Sequence, residues 1–339
     1  MPEFDENEVP KFSPEEVKKH LEAVKVNKSV PPGDIPPILI KMCAGQLCKP
    51  LCHIINSKIK LGKWSKLYKS ESVTPVPKVP QPLSVNDLRN ISGLLTFNKV
   101  AETMIAKLMI SDISHKLDPA QYANQKGLSL QHYLINMINK ILSDTDNNSK
   151  GEINAVIATL YDWKEAFPRQ DPKLGIEAFI KCGVRGSLIP LLINYLQERT
   201  MKVKWHGVTS SERKLIGGGP QGATFGIWEY LVQSNDNANC IDPDYRFKFV
   251  DDLTVLEKVN LILIGLASFN CHASVPSDIP SHNQFIPVEN LKSQEYLQKI
   301  QKWTEEQKMI LNQKKTKVMF LTLQIITSSL QDSNLIMKT

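Results

Sequence analysis

The chain has 339 residues with 42% hydrophobic content, Lys+Arg 41 against Asp+Glu 35, and a formal net charge of +6. It is longer than one typical domain and apolar enough to bury a core, and its mildly basic balance permits a polyanionic partner without demanding one. Met1 to Pro10 is acidic with no apolar core, and no apolar run reaches the roughly 18 residues that would span a bilayer, so neither a secretory signal nor a membrane span is expected.

Residues 1–9 are expected to be disordered. Ser13-Pro14-Glu15-Glu16 then reads as a helix start, with Ser as N-cap, Pro at the first helical position and Glu three residues after the cap. Val17, Leu21 and Val24 give that helix one apolar face. Pro31 to Pro37 breaks the chain, and a second helix is expected over Ile38 to Lys60. Cys43, Cys48, Cys52 and His53 fall inside it at helical spacing, which favours buried thiols over zinc ligands. The chain has Cys 6, sparse for its length, so reduced thiols and an intracellular setting are expected, with nucleus and cytoplasm both open. Lys58, Lys60, Lys63, Lys66 and Lys69, interleaved with Trp64 and Tyr68, form either a phosphate-contacting patch or a solvated helix face.

Val73 to Pro80 is basic and extended, and its prolines disfavour both helix and central strand. Asn98 is placed to cap a helix running to Leu117. Ser129 is placed to cap another, with Leu130, Tyr133, Leu134, Met137, Ile138, Ile141 and Leu142 as a broad apolar face. Asp144 to Lys150 reads as a loop. Ile153 to Tyr161 is nearly all apolar, as a strand buried on both faces would be. A helical stretch is expected over Leu174 to Arg199, then a half-exposed strand with Met201, Val203 and Trp205 on one face. Tyr245, Phe247 and Phe249 alternate with Arg246 and Lys248, and the chain turns at Asp251-Asp252 into Leu253 to Leu256, a hairpin with acids at its tip. Glu295 to Leu311 reads as a helix and Lys317 to Leu321 as a last strand, preceded by a second basic cluster at Lys314, Lys315 and Lys317. Helices followed by a mixed strand–helix unit argue α+β.

Asp162 ends one apolar run, and Asp251 and Asp252 end another. Taken alone, an Asp-Asp pair after a strand is a solvated turn, because Asp bonds its own backbone. Three carboxylates gathered at one sheet edge repel each other unless cations stand between them. A pair of Mg²⁺ ions suits such a site, since Mg²⁺ takes oxygen ligands and leaves positions for water and phosphate. Two such ions clamp the attacking and leaving oxygens of a phosphoryl displacement.

Four motifs stand in one order: Asp162-Trp163-Lys164-Glu165-Ala166-Phe167, Gly219-Pro220-Gln221-Gly222, Phe249-Val250-Asp251-Asp252 and Lys315-Thr316-Lys317. In these the chain resembles the reverse transcriptase (RNA-directed DNA polymerase) of non-LTR, LINE-like retrotransposons, over residues 10 to 322. The resemblance implies a right-hand polymerase with a fingers-like helical region over 10–150 and a palm-like catalytic region over 151–322. The palm is expected to be an antiparallel sheet with packed helices, ferredoxin/RRM-like, carrying a long insertion at 269–290. A diverged tail follows at 323–339, and the thumb is absent or vestigial. The chain looks like a fragment of a longer element-encoded polyprotein, separated from its endonuclease and thumb, or a truncated genomic copy.

The same resemblance implies the site. Asp162 and Asp251 are the ligands of both metal ions, Asp252 is the third acidic member, and the backbone carbonyl of Trp163 adds an oxygen. The ions are Mg²⁺, with Mn²⁺ as a substitute. Phe167 is the aromatic gate that occupies the space of a ribose 2′-hydroxyl. Gln221 and Gly222 line the incoming nucleotide. Lys78 and Arg89 grip its triphosphate, and Lys315 or Lys317 stands near the β,γ-phosphates as a general acid for pyrophosphate. Gln121 and Val250 contact template or primer. The implied partners are an RNA template, a DNA primer and dNTPs, and no membrane. Departures from the family pattern stand at Asn90, Asn124-Gln125, Pro168 and Ala223 to Glu229. A second expectation is an inactive truncated remnant that only binds nucleic acid. A third, an RNA-directed RNA polymerase palm, shares the metal ligands but is disfavoured by Phe167.

Overall fold

Ser13 opens the first helix as its sequence predicts: its hydroxyl accepts from the Glu16 N–H at 3.2 Å, and the Glu16 carboxylate accepts from the Ser13 N–H at 2.8 Å. This computed structural model describes residues 9–28, 30–31, 33–146, 152–215, 217–219, 222–264, 284–287 and 291–323. In chain order the elements are α1 (Pro14–Glu22), α2 (Pro37–Met42), α3 (Ala44–Leu61), β1 (Ser70–Pro77), β2 (Leu88–Gly93), α4 (Thr96–Ile113), α5 (Leu130–Thr145) and β3 (Glu152–Tyr161). They continue with α6 (Pro172–Cys182), α7 (Ile189–Leu196), β4 (Thr200–Trp205), β5 (Val208–Thr209), β6 (Arg213–Lys214) and α8 (Thr224–Gln233). The last are β7 (Arg246–Phe249), β8 (Asp252–Ile264), β9 (Gln284–Pro287), α9 (Ser293–Glu306) and β10 (Lys317–Leu321). The α+β class agrees with the sequence. The expected disordered N-terminus, most of the insertion at 269–290 and nearly all of the tail lie outside the described residues.

Two compact units interleave along the chain. One comprises Met1–Asp118, Glu165–Asp236 and Glu305–Ile310; the other comprises Pro119–Lys164, Asn237–Thr304 and Leu311–Thr339. The helix-rich stretch 10–150 is therefore divided, and α5 joins the second unit. Its Tyr133, Met137 and Ile141 pack on Val156, Ala158, Phe247 and Leu256 of that unit's sheet. Leu130, Leu134, Ile138 and Leu142, expected on the same apolar face, are exposed. Ser129 caps α5 as expected, accepting from the His132 N–H.

The first unit buries a helical core: Val17 and Leu21 of α1, Ile55 and Ile59 of α3, Met104 and Ile105 of α4, Leu191 and Tyr195 of α7, and Phe225 of α8. Cys48 and Cys52 are buried in it as free thiols. Cys43 takes φ −94, ψ 17 and separates α2 from α3, where one continuous helix was expected. Gly183, at φ +88, likewise ends α6 within the helix expected over 174–199. Asn98 does not cap α4. It is buried, and its Oδ1 accepts from the Trp64 indole N–H at 2.9 Å.

The unit's sheet runs β2-β1-β4-β5, with β6 beside β4. Here β1 is a strand despite Pro75 and Pro77. It lies between neighbours only at Ser72 and Val73; from Thr74 to Pro77 it pairs with β2 alone, so the prolines sit on an open edge. The lysine patch is also corrected. Lys58 and Lys69 are buried, and the Lys58 Nζ lies 4.3 Å from the Trp64 ring centre and 4.2 Å from that of Tyr68. Burial pushes the Lys58 pKa down to about 8, partly offset by Glu102.

Helices α6 and α8 approach closely at Gly175, where an added Cβ would stand 2.7 Å from the Glu229 Cγ. Glu229 is buried there, and among the described residues neither carboxyl oxygen has a hydrogen-bond partner. Burial pushes its pKa up to about 8, with Arg199 lowering it and Asp171 raising it. The folded state therefore keeps a proton that the unfolded chain has released. Stability from neutral Glu229 is complete below the ordinary carboxyl value of 4.5 and is lost as pH rises through about 8. Between about pH 5 and about pH 8 the loss amounts to roughly 2–4 kcal/mol. Glu229→Gln keeps the shape and removes the titration, so its urea stability at the alkaline end should exceed that of the unaltered protein. Parallel pH profiles for the two proteins would refute this.

Candidate active site

The second unit's sheet runs β10-β3-β8-β7, with β9 beside β8, and every pairing is antiparallel. Taking β3, β7, β8 and β10 in chain order, the fourth lies beside the first, then the third, then the second. That is the order of a split β-α-β, ferredoxin-like sheet. Strand β3 is buried on both faces, with Val156 and Ala158 on one and Ala155 and Ile157 on the other. It is thereby a rigid rail whose end places Asp162.

The register places the acids. Tyr161 pairs with Leu253, so the next position, Asp162, stands level with Asp252 at the start of β8. Phe249 pairs with Asp252, leaving Val250 and Asp251 as a two-residue turn. Val250 has φ 58, a region that a β-branched side chain avoids. Partial burial pushes the Asp252 carboxyl above the usual range, and the charge of Asp162 pushes it further.

Asp162 is held from three sides by the segment leading into β10. Its carbonyl accepts from the Asn312 N–H at 2.7 Å, its Oδ2 accepts from the Asn312 Nδ2 at 2.7 Å, and its own N–H donates to the Thr316 Oγ1 at 3.4 Å. The Asn312 carbonyl in turn accepts from the N–H groups of Lys315 and Thr316. Trp163 is buried next to Asp162, bridges Leu311, and lies edge-on to Trp303 at 6.3 Å. Sequence reasoning missed Asn312. A polar break between a helix and a strand marks a turn there, but nothing local names a partner 150 residues away.

Lys317 pairs with Leu160 at the start of β10, and Lys315 lies in the turn between Asn312 and that strand. Both lysines are exposed. Gln121 is buried, and its side-chain amide bonds the backbone of Val250 at both N–H and carbonyl. Its amide is thus engaged with the hairpin itself, beside the template or primer contact expected of it.

The donor set of carboxylate oxygens, without thiol or imidazole, suits Mg²⁺. Among the described residues no group of three or more His, Cys, Asp or Glu side chains is placed to hold a metal ion. The register brings Asp162 and Asp252 level, and Asp251 stands on the turn beside them. Two carboxylates fit an ion that keeps its waters and takes its remaining ligands from substrate phosphates.

The other predicted residues lie in the first unit. Gly218, at φ +79, leaves no room for a Cβ, which would stand 2.8 Å from the Pro168 carbonyl oxygen; its N–H donates to the Gln170 carbonyl at 2.8 Å. This glycine loop is thus laid against Phe167 to Gln170. The Phe167 ring is half-buried, 5.1 Å from that of Tyr230. Gly222 has φ +97, and Gln221 lies outside the described residues. Arg89 is exposed on β2 opposite Val76. Lys78 is engaged locally: its Nζ donates to the Asn86 carbonyl at 2.9 Å and its N–H to that of Asp87 at 2.7 Å, closing the β1–β2 connection.

No protein-family model matches the chain. It is 25% identical over 314 residues to the RNA-directed DNA polymerase from mobile element jockey of Drosophila melanogaster, covering 89% of this chain and 31% of that protein. It is 25% identical over 228 residues to the probable RNA-directed DNA polymerase from transposon X-element of the same fly, covering 66% of this chain and 24% of that protein. The chain therefore spans less than a third of the length of either relative. Among solved structures, it is similar to apo telomerase from Candida tropicalis truncated from the C-terminal domain, with TM-score 0.46, 12% identity, and coverage of 82% of this chain and 56% of that one. The apo telomerase from the same organism gives TM-score 0.47 and 10% identity over 81% of this chain and 49% of that one. No helix among the described residues is long and apolar enough to cross a membrane.

Proposed function

We propose that this chain is the nucleotidyl-transferring part of a non-LTR retrotransposon's RNA-directed DNA polymerase, adding dNTPs to the 3′-hydroxyl of a primer paired to RNA. The reading is carried by one observation: Asp162 and Asp252 stand side by side at the ends of adjacent strands, with Asp251 on the connecting turn. The names of the relatives support it. The charge of Asp162 bears on the Asp252 carboxyl, as expected of acids gathered to share a cation.

Asp162 and Asp252 would hold Mg²⁺, joined by Asp251 from the adjoining turn when substrate and metal assemble, with Mn²⁺ as the substitute and the Trp163 carbonyl as a further oxygen. When bound, the metal lowers the pKa of the primer hydroxyl and offsets the triphosphate charge. Asn312 fixes one oxygen of Asp162, which leaves Oδ1 to do the binding. Lys315 or Lys317 would give a proton to departing pyrophosphate. Phe167, Gln221, Gly222, Arg89 and Lys78 keep their nucleotide-handling roles as part of the proposal, Lys78 after release from Asn86. The burial of Lys58 and Lys69 removes two cations from the patch that favoured a purely nucleic-acid-binding remnant.

The test is extension of a labelled DNA primer on an RNA template with Mg²⁺, using dNTPs and rNTPs separately. The unaltered chain is expected to incorporate dNTPs in template order, and Asp251→Asn is expected not to. Equal incorporation by the two proteins would sink the assignment. Salt-sensitive RNA binding without incorporation under either metal would favour the remnant, and preference for rNTPs would favour an RNA polymerase.

A further inference from the structure

We infer that Gln121 is a positioning residue, whose side-chain amide holds the Val250–Asp251 turn in the conformation that presents Asp251 at the hairpin tip. The inference rests on the proposed role of Asp251. Residues 120–122 run parallel to β7: the Tyr122 N–H donates to the Lys248 carbonyl at 2.9 Å, and the Lys248 N–H donates to the Ala120 carbonyl at 2.8 Å. That ladder fixes the Gln121 backbone beside the hairpin. From there its Oε1 accepts from the N–H groups of Val250, at 3.1 Å, and Ala123, at 3.0 Å, and its Nε2 donates to the Val250 carbonyl at 3.4 Å. One amide thus binds both backbone groups of the turn's first residue.

That residue is the one that needs holding. Val250 is β-branched and has φ 58, where glycine or asparagine ordinarily serves in a two-residue hairpin. A non-glycine residue persists there only when its surroundings over-determine it. Gln121 is 5% exposed, so its amide is shielded from water that would compete for these bonds. Released, Val250 would relax toward negative φ and swing the peptide that carries Asp251.

The test begins with amide hydrogen exchange in the unaltered protein. The Val250 N–H is expected to be protected, unlike an ordinary turn amide. In Gln121→Met, which keeps length and apolar fit, that amide should exchange at least about tenfold faster while β3 amides keep their protection. Primer extension by the same variant should lose about tenfold in kcat with little change in KM for dNTP. Adding Val250→Gly should restore part of the kcat, because glycine takes positive φ without steric cost. A role limited to stability would lower β3 protection as well and would gain nothing from the glycine. An unprotected Val250 amide in the unaltered protein overturns the inference, whether or not the variant folds. So does unchanged exchange and kcat in Gln121→Met, or the absence of recovery with glycine. If the unaltered protein incorporates no nucleotide, the polymerase reading fails separately and the exchange data alone decide the brace.

Discussion

Asp162→Asn is expected to lower primer extension by about 10³-fold or more, equivalent to about 4 kcal/mol of transition-state stabilisation, while leaving the fold intact. The substitution is nearly isosteric. Its amide oxygen can still accept from the Asn312 Nδ2, which now bonds Oδ2 at 2.7 Å, and the backbone bonds to Asn312 and Thr316 do not depend on the side chain. What is lost is one of the two negative charges that stand level across β3 and β8. Without that charge the site holds a divalent ion poorly against water. Removing a like charge relieves repulsion on Asp252, so the variant should be at least as stable as the unaltered protein. The measurement is single-turnover extension beside a urea titration. Near-normal extension would show that the facing acids are not the reacting centre. Lost extension with equally lost stability would show that Asp162 acts on the fold.

Asn312→Leu separates holding from binding. It removes the side-chain bond to Asp162 but leaves the carboxylate, so it should be milder than Asp162→Asn. This ordering follows from the geometry: Asn312 restrains one oxygen, and Asp162 supplies the charge.

The parts of the fold that depend on neighbouring residues were legible in the sequence. The capping box at Ser13, the alternation of Tyr245, Phe247 and Phe249 and the unbroken apolar run of β3 act over a few positions, and local patterns report local forces. The pair Asp162 and Asp252 was legible for a related reason, since strand ends are visible and a sheet brings ends together. The parts that depend on distant partners were not. Pro75 and Pro77 argue against a central strand, and only the tertiary pairing shows that β4 stops at Val73 and leaves them an edge. Asn98 has the chemistry of a cap, but a buried indole N–H claims its oxygen first. Lys58 belongs to a basic run by sequence, yet two aromatic rings and the burial of α3 take it inside. Gln121 has a partner 129 residues away, and its polarity reads equally well as a template contact. In each case the residue type was right for a visible role, and a stronger long-range contact took it.

The largest expected effect on stability falls in the first unit, at Arg199. Its side chain is 2% exposed, as is that of Glu71. The Arg199 Nε and Nη2 both donate to the Glu71 Oε1, at 2.9 and 2.7 Å, and its Nη1 donates to the Tyr195 carbonyl at 3.3 Å. Burial works against the guanidinium charge, and Tyr195 and Glu71 more than offset it, so its pKa is raised. Arg199→Met would strand the Glu71 carboxylate without these donors and should cost about 3–5 kcal/mol; Glu71→Leu, which strands the cation, should cost a similar amount. The double variant should recover most of that loss, because neither charge then needs a partner. The pair joins the strands that set the unit's sheet: Glu71 lies on β1 and pairs with Met201 of β4, while Arg199 immediately precedes β4. Hydrogen exchange of β1 and β4 amides in increasing urea is therefore the measurement, since it reports this unit whatever the other one does. Lys18→Met, which breaks the exposed pair with Glu22, is the control and should change little. If Arg199→Met costs no more than that control, the buried pair carries no stability. If the double variant is as unstable as either single one, the cost lies in lost packing of the arginine stem and not in the stranded charge.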